Sequence, residues 1–208
     1  MKKILLTFIT IALLSSCGSE EKQEAKDVDL NRSLQMLSEE LNEEIPVWDY
    51  HSFQDQFEIE VPSQMEATTK LNPVAELQFK YAEQFEGEVK ENYIIVLSDI
   101  YENSVPTDDS ELMEYAQQSL DTLMIGKKSF EVLNEPKVES VNGMNMVSQE
   151  VKANISLTDS TQLDLLYITG IYQGKKAHYQ IISWTVLDQK DDFAQDMRRM
   201  VYSFKEIN

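Results

Sequence analysis

The dipeptide Asn142-Gly143 does most to limit what this chain can fold into. It stands between Ser129–Val141 and Met144–Leu157, two runs in which apolar and polar residues alternate. A two-residue loop joining antiparallel strands favours a type I′ turn, which needs positive φ at both central positions, and Asn-Gly meets that need. The pair therefore predicts a β-hairpin. A second hairpin follows, in which Gln162–Gln173 and Ala177–Val186 flank Gly174-Lys175-Lys176. Chains built from hairpins form antiparallel sheets, because parallel strands need long crossovers.

The same period of two appears earlier. Trp48 and Tyr50 form an apolar face in Val47–Phe53, and Phe57, Ile59 and Val61 do so in Gln56–Pro62. Leu77, Phe79 and Tyr81 share a face in Ala75–Phe85, and Asn92–Tyr101 is so continuously apolar that both its faces should be covered. Two segments carry the helical period instead. In Glu111–Ile125, Leu112, Tyr115, Ala116, Leu120, Leu123 and Met124 fall on one side, and Gly126 stops the helix. In the closing segment, Phe193, Met197, Met200, Val201 and Phe204 do the same. About eight strands, a helix midway and a helix at the end make an α+β protein, an antiparallel β-sheet flanked by helices. A body of this size buries about 70% of its unfolded surface, so it needs no disulfide or structural metal.

The N-terminus reads differently. Lys2 and Lys3 precede an apolar run, Ile4–Leu14, followed by Ser15, Ser16 and Cys17, the chain's one cysteine. This is the order of an export signal, and the run is shorter than the roughly 20 residues of a spanning helix. Leu14-Ser15-Ser16-Cys17 resembles a bacterial lipobox. That resemblance implies cleavage between Ser16 and Cys17 and acylation of the Cys17 thiol and new amine with diacylglycerol and a fatty acid such as palmitate. Each buried methylene contributes about 0.8 kcal/mol, so several acyl chains on one residue anchor stably. The expected organisation is a lipoprotein signal peptide over 1–16, an acidic tether with an amphipathic helix over 17–46, and the α+β domain over 47–208. Gly18–Asp29 has almost no apolar surface, and Leu30, Leu34, Leu37, Leu41 and Ile45 form a helical stripe before Pro46. Gly18, rather than Asp, follows Cys17, so the residue that retains some lipoproteins in the inner membrane is missing. The expectation is lipid anchoring in the bacterial cell envelope, in the outer membrane, periplasmic or outward-facing.

Charge narrows the partners. The chain carries 18 Lys and Arg against 37 Asp and Glu, net −19, and loss of residues 1–16 takes it to −21. Nucleic acid is excluded on that balance, because its phosphates must be neutralised by Lys and Arg.

No catalytic residue, cofactor or metal site is expected. The histidines, His51 and His178, each stand beside a tyrosine in a predicted strand, where packing explains them. Asp108, Asp109 and Glu111, and Asp188, Asp191 and Asp192, sit where they favour a helix start, without the spacing of a calcium loop. Met144 and Met146 read as core filling rather than Cu(I) ligands. Trp48, Tyr50, Tyr93, Tyr101, Tyr167, Tyr172 and Tyr179 could line a binding groove or pack on sheet faces.

Two segments, Phe57–Met65 and Tyr172–Lys205, together with the element order over 47–208, resemble the PsbP-like families, which include the DcrB-type bacterial lipoproteins. The resemblance implies an antiparallel sheet with helices on its faces. It also implies a binding or assembly role without shared catalytic residues, as in a photosystem subunit, a GTPase-binding import factor or an envelope lipoprotein. The expected function is therefore that of a non-catalytic, membrane-anchored lipoprotein that binds an envelope protein partner. A small-molecule or lipid-binding lipoprotein is the alternative.

Overall fold

Every strand pairing among the described residues is antiparallel. The computed structural model describes residues 46–85, 87–101, 108–158 and 161–207. Ser16, Cys17, the tether and the stripe from Leu30 to Ile45 lie outside them. In chain order come β1 (Trp48–Phe53), β2 (Phe57–Pro62), β3 (Glu66–Ala67), β4 (Leu77–Phe85) and β5 (Glu88–Ile100). Helix α1 (Asp109–Leu123) precedes β6 (Ser129–Val132), β7 (Val138–Val141), β8 (Met144–Ser156), β9 (Gln162–Gln173) and β10 (Ala177–Val186). Helix α2 (Lys190–Ser203) and β11 (Lys205–Glu206) close the chain. The large sheet runs β3-β4-β5-β10-β9-β8-β6, with β7 also on β8, and the small sheet runs β1-β2-β11.

The Asn142-Gly143 turn forms as expected, with φ of 51° and 80° and Val141 opposite Met144. The run before it divides into β6 and β7, because Pro136 has no N–H for the ladder. Asn134 bridges the break: its Nδ2 donates to Ser148 O at 3.1 Å, and Glu150 N donates to its Oδ1 at 2.6 Å. That division and two two-residue strands, β3 and β11, raise the expected eight strands to eleven among the described residues.

Core forms on both faces of the large sheet. On one face lie α2 and the small sheet, bringing Phe57, Ile59, Val61, Met197, Met200, Val201 and Phe204 onto Ile94, Val96, Ile168 and Ile181. Helix α1 covers the other, where Leu112, Ala116 and Leu120 are buried among residues that include Ile95, Val147 and Val151. Alternate residues of β5 thus serve different cores, which is why Asn92–Tyr101 is apolar without a break. In β1 the expected apolar face is only half realised. Trp48 is partly buried, but Tyr50 is 68% exposed. His51 and Phe53 pack instead, against Phe79 at 4.5 Å and Phe57 at 5.7 Å between ring centroids.

Two buried positions set conditions on packing. Gly170 lies mid-strand in β9, where a Cβ would come within 2.7 Å of Val201 Cγ1, 3.2 Å of Tyr172 Cε2 and 3.5 Å of Met146 Sδ. The missing side chain lets α2 settle onto the sheet. Under α1, His178 is 6% exposed. Its ring stacks on Tyr115 at 4.0 Å and meets Tyr101 edge-on at 4.9 Å, and its Nε2 is buried without a hydrogen-bond partner. Burial holds its pKa below the usual histidine value, against the pull of the Asp99 carboxylate.

Gly170→Ala should lower stability by about 1–3 kcal/mol, through overpacking against Val201; equilibrium urea unfolding measures it, and an unchanged midpoint would contradict the close approach. His178 takes up a proton less readily folded than unfolded, so stability should fall as pH drops below the unfolded value of 6.5. Unfolding free energies between about pH 7.5 and about pH 5.5 should show that loss, and His178→Phe should flatten it. Equal slopes in both proteins would contradict the burial.

Candidate interaction surface

Strands β1 and β2, the last turn of α2 and β11 meet around a surface groove of about 590 Å³. Its lining includes Tyr50, Glu58, Glu60, Arg199, Tyr202 and Lys205. Each element contributes by its own regularity. Glu58 and Glu60 point away from the core because Phe57, Ile59 and Val61 on the same strand point into it. Arg199 emerges between Met197 and Met200, on the outer side of a helix that buries both.

Glu60 is the hub. Tyr50 Oη donates to its Oε1 at 2.7 Å. Arg199 donates to its Oε2 through Nε at 3.0 Å and Nη2 at 2.9 Å. The Tyr50 hydroxyl, together with the Arg199 guanidinium, holds the Glu60 carboxyl below the usual carboxylate range against the opposing effect of burial. The other side of the guanidinium stack is Trp48, whose ring centroid lies 4.0 Å from Arg199 Cζ. Lys205 Nζ donates to Glu58 Oε1 at 2.8 Å, and the Glu58 carboxylate raises the lysine pKa. The rim is anchored by Asn142, whose Nδ2 donates to Tyr202 O at 3.0 Å and Phe204 O at 2.9 Å. A half-buried tryptophan, an exposed tyrosine and a planar arginine held in place by one carboxylate are the residue types that anchor protein interfaces. Chemically, the arrangement offers ring faces, a fixed guanidinium and carboxylate acceptors.

The residues singled out in the sequence are scattered over the body. His51 lies on β1 and His178 under α1. Asp108 caps α1, its Oδ1 accepting from Ser110 N at 2.9 Å, and that bond lowers its pKa. Asp109 accepts from Asn145 Nδ2 at 3.1 Å, and Asp192 pairs with Lys90 at 2.8 Å. Among the described residues, no group of three or more His, Cys, Asp or Glu is placed to hold a metal. Met146 is fully buried and Met144 packs on the same core. The aromatic set does not form one groove. Tyr167, Tyr172 and Tyr179 are buried, Tyr93 stacks on Trp184 at 5.2 Å, Trp48 lies against Arg199, and Tyr50 is joined to Arg199 through Glu60. A void between α1 and the sheet, lined by Ser119, Leu123, Gln149, Thr169 and Gln180 among others, is about 10 Å³, room for one water. The Glu60–Arg199 contact leaves little trace in the sequence because its partners lie 139 residues apart; the doublet Arg198-Arg199 is its local signal.

The chain matches no protein family at the level of sequence, and no curated protein. It is similar in structure to cyanobacterial PsbP (CyanoP) from Synechocystis sp. PCC 6803, with a TM-score of 0.52 at 13% identity, over 78% of this chain and 94% of that one. LpqN of Mycobacterium tuberculosis, described as involved in cell envelope biogenesis, aligns with a TM-score of 0.50 at 9% identity, over 79% and 91%. The body therefore has a PsbP-like fold, an antiparallel α+β sheet with a helix on each face.

Proposed function

We propose that this chain is a lipid-anchored protein of the bacterial cell envelope, held through Cys17, whose sheet domain binds a protein partner and performs no chemistry of its own. The observation that carries the binding half is the groove at Trp48, Tyr50 and Arg199. Glu60 fixes the exposed Tyr50 and Arg199 side chains in one concave patch, and the partly buried Trp48 ring backs the guanidinium. Little side-chain freedom is left to lose on association, which favours affinity.

The anchoring half rests on Leu14-Ser15-Ser16-Cys17 behind a short apolar run. On this reading the signal ends at Ser16, the mature chain starts at an acylated Cys17 in the outer membrane, and the acidic segment spaces the body from the bilayer. Gly18–Asp29 spans about 40 Å when extended, enough to hold a domain clear of a membrane surface. LpqN lends support of a fold-level kind, since fold alone does not determine function.

Cys17→Ala should move the protein from the membrane fraction to the soluble fraction, with its urea midpoint unchanged; continued membrane retention would contradict the anchor. A photo-crosslinking amino acid at Tyr50 should capture a discrete protein partner in intact cells, and Arg199→Glu should abolish the adduct while the body stays folded by circular dichroism. Labelling of lipid alone, or no adduct from Tyr50, would contradict the binding role of this groove.

A further inference from the structure

The large sheet has an open edge at β6, which pairs with β8 on one side and with no other strand among the described residues. Leu133 N donates to Glu150 O at 2.7 Å. Antiparallel strands alternate the direction of their backbone groups, so Ser129 and Glu131 also face β8, and Phe130 and Val132 turn their N–H and C=O groups outward. Such a row is a template for an added strand, and native proteins usually guard it with charges, proline or very short strands. The opposite edge follows that rule: β3 has two residues. On β6 the edge is apolar, with Phe130 47%, Val132 36% and the following Leu133 49% exposed.

The two sides of the edge differ. Phe130 and Val132 lie opposite Ala153 and Val151, which belong to the core beneath α1, so their side of the sheet extends an apolar surface. Glu131 lies opposite Lys152, beside a hollow of about 480 Å³. In that hollow Lys152 is engaged by Asp164 at 3.2 Å, and Asn154 Oδ1 is buried without a partner. Neither Glu131 nor Lys128, which also lines the hollow, is in an ion pair among the described residues.

We propose that β6 receives an extended segment of a partner protein as an added antiparallel strand, of a stated pattern: apolar, basic, apolar, acidic. The apolar residues pair with Val132 and Phe130 and the basic residue meets Glu131; the acidic residue two places later, on the same face as the basic one, lies opposite Ser129 and meets Lys128, whose N donates at 2.8 Å to the O of Asn154, the residue opposite Ser129. Strand addition of this kind draws affinity from main-chain hydrogen bonds and specificity from alternate side chains. A second copy of this chain fits poorly. The register that pairs Phe130 with Val132 sets Glu131 against Glu131, the one that pairs Phe130 with Phe130 leaves Glu131 opposite Ser129 with no basic partner, and the full sequence of each chain carries −19. This inference rests on the reading that the body binds a protein. It is tested separately from the groove, since capture from Tyr50 and pairing at β6 can each fail alone.

The test is backbone amide exchange by NMR on the full-length protein in detergent, titrated with acetyl-Thr-Val-Lys-Val-Glu-Ser-amide. At a peptide concentration about ten times Kd, the Phe130 and Val132 amides should exchange about tenfold more slowly, and the Glu131 and Leu133 amides should be unchanged. Replacing the peptide lysine by glutamate should abolish the effect, and Glu131→Lys, on an exposed position, should restore it for that altered peptide. Three results would each overturn the proposal: no added protection at saturating peptide, equal protection by the glutamate peptide, or protection that grows with protein concentration and no peptide, which would assign the edge to a second copy.

Discussion

Helix α2 approaches β9 so closely that a Cβ at Gly170 would meet Val201 Cγ1 at 2.7 Å, and the body is arranged around that contact. Met197, Met200, Val201 and Phe204 are fully buried at helical spacing, each contributing about 1.5–3 kcal/mol relative to exposure. Gly170 permits the approach, and the Tyr172 hydroxyl secures it by donating to Val201 O at 2.8 Å. Phe204, just past the helix, packs on Phe57, Tyr172 and Tyr179 with ring centroids 4.9 to 5.3 Å away. The small sheet is thereby joined to the large one. Phe57, Ile59 and Val61 of β2 thus share one core with both α2 and the large sheet.

The candidate groove is a consequence of the same packing. Once α2 is seated, its outer side faces the outer side of β2, and Arg199 has Glu60 within reach. Exposed ion pairs contribute little to stability, commonly 0 to about 1 kcal/mol, so this pair matters more for the geometry it fixes than for the energy it adds. It holds the guanidinium over the Trp48 ring, and the same carboxylate takes the Tyr50 hydroxyl at the rim. The β6 edge has a different origin. Pro136 stops the ladder from running on into β7, and the short strand that remains carries apolar residues where an edge usually carries charge.

Much of the fold was legible in the chain, and what was not has a common cause. Asn142-Gly143 announces a turn because positive φ is a local demand. Met197, Met200 and Val201 announce a buried helix face because the period of a helix is also local. The unbroken run at Ile94–Leu97 disclosed a strand buried on both sides for the same reason. Tyr50 was misplaced because alternation alone cannot say which face of an edge strand is covered. The joining of Glu60 to Arg199, the burial of His178 under Tyr115 and the position of β6 at a sheet edge all depend on which distant segments meet. A single sequence carries no periodic trace of such meetings.

The proposal of an anchored body that holds a protein partner is tested in both parts together by native mass spectrometry of the detergent-solubilised membrane protein. It predicts a chain that begins at Cys17, carries the added mass of diacylglycerol and a further acyl group, and is found in complex with a second protein. A chain that still begins at Met1, with an unmodified Cys17 and no bound protein, would contradict it.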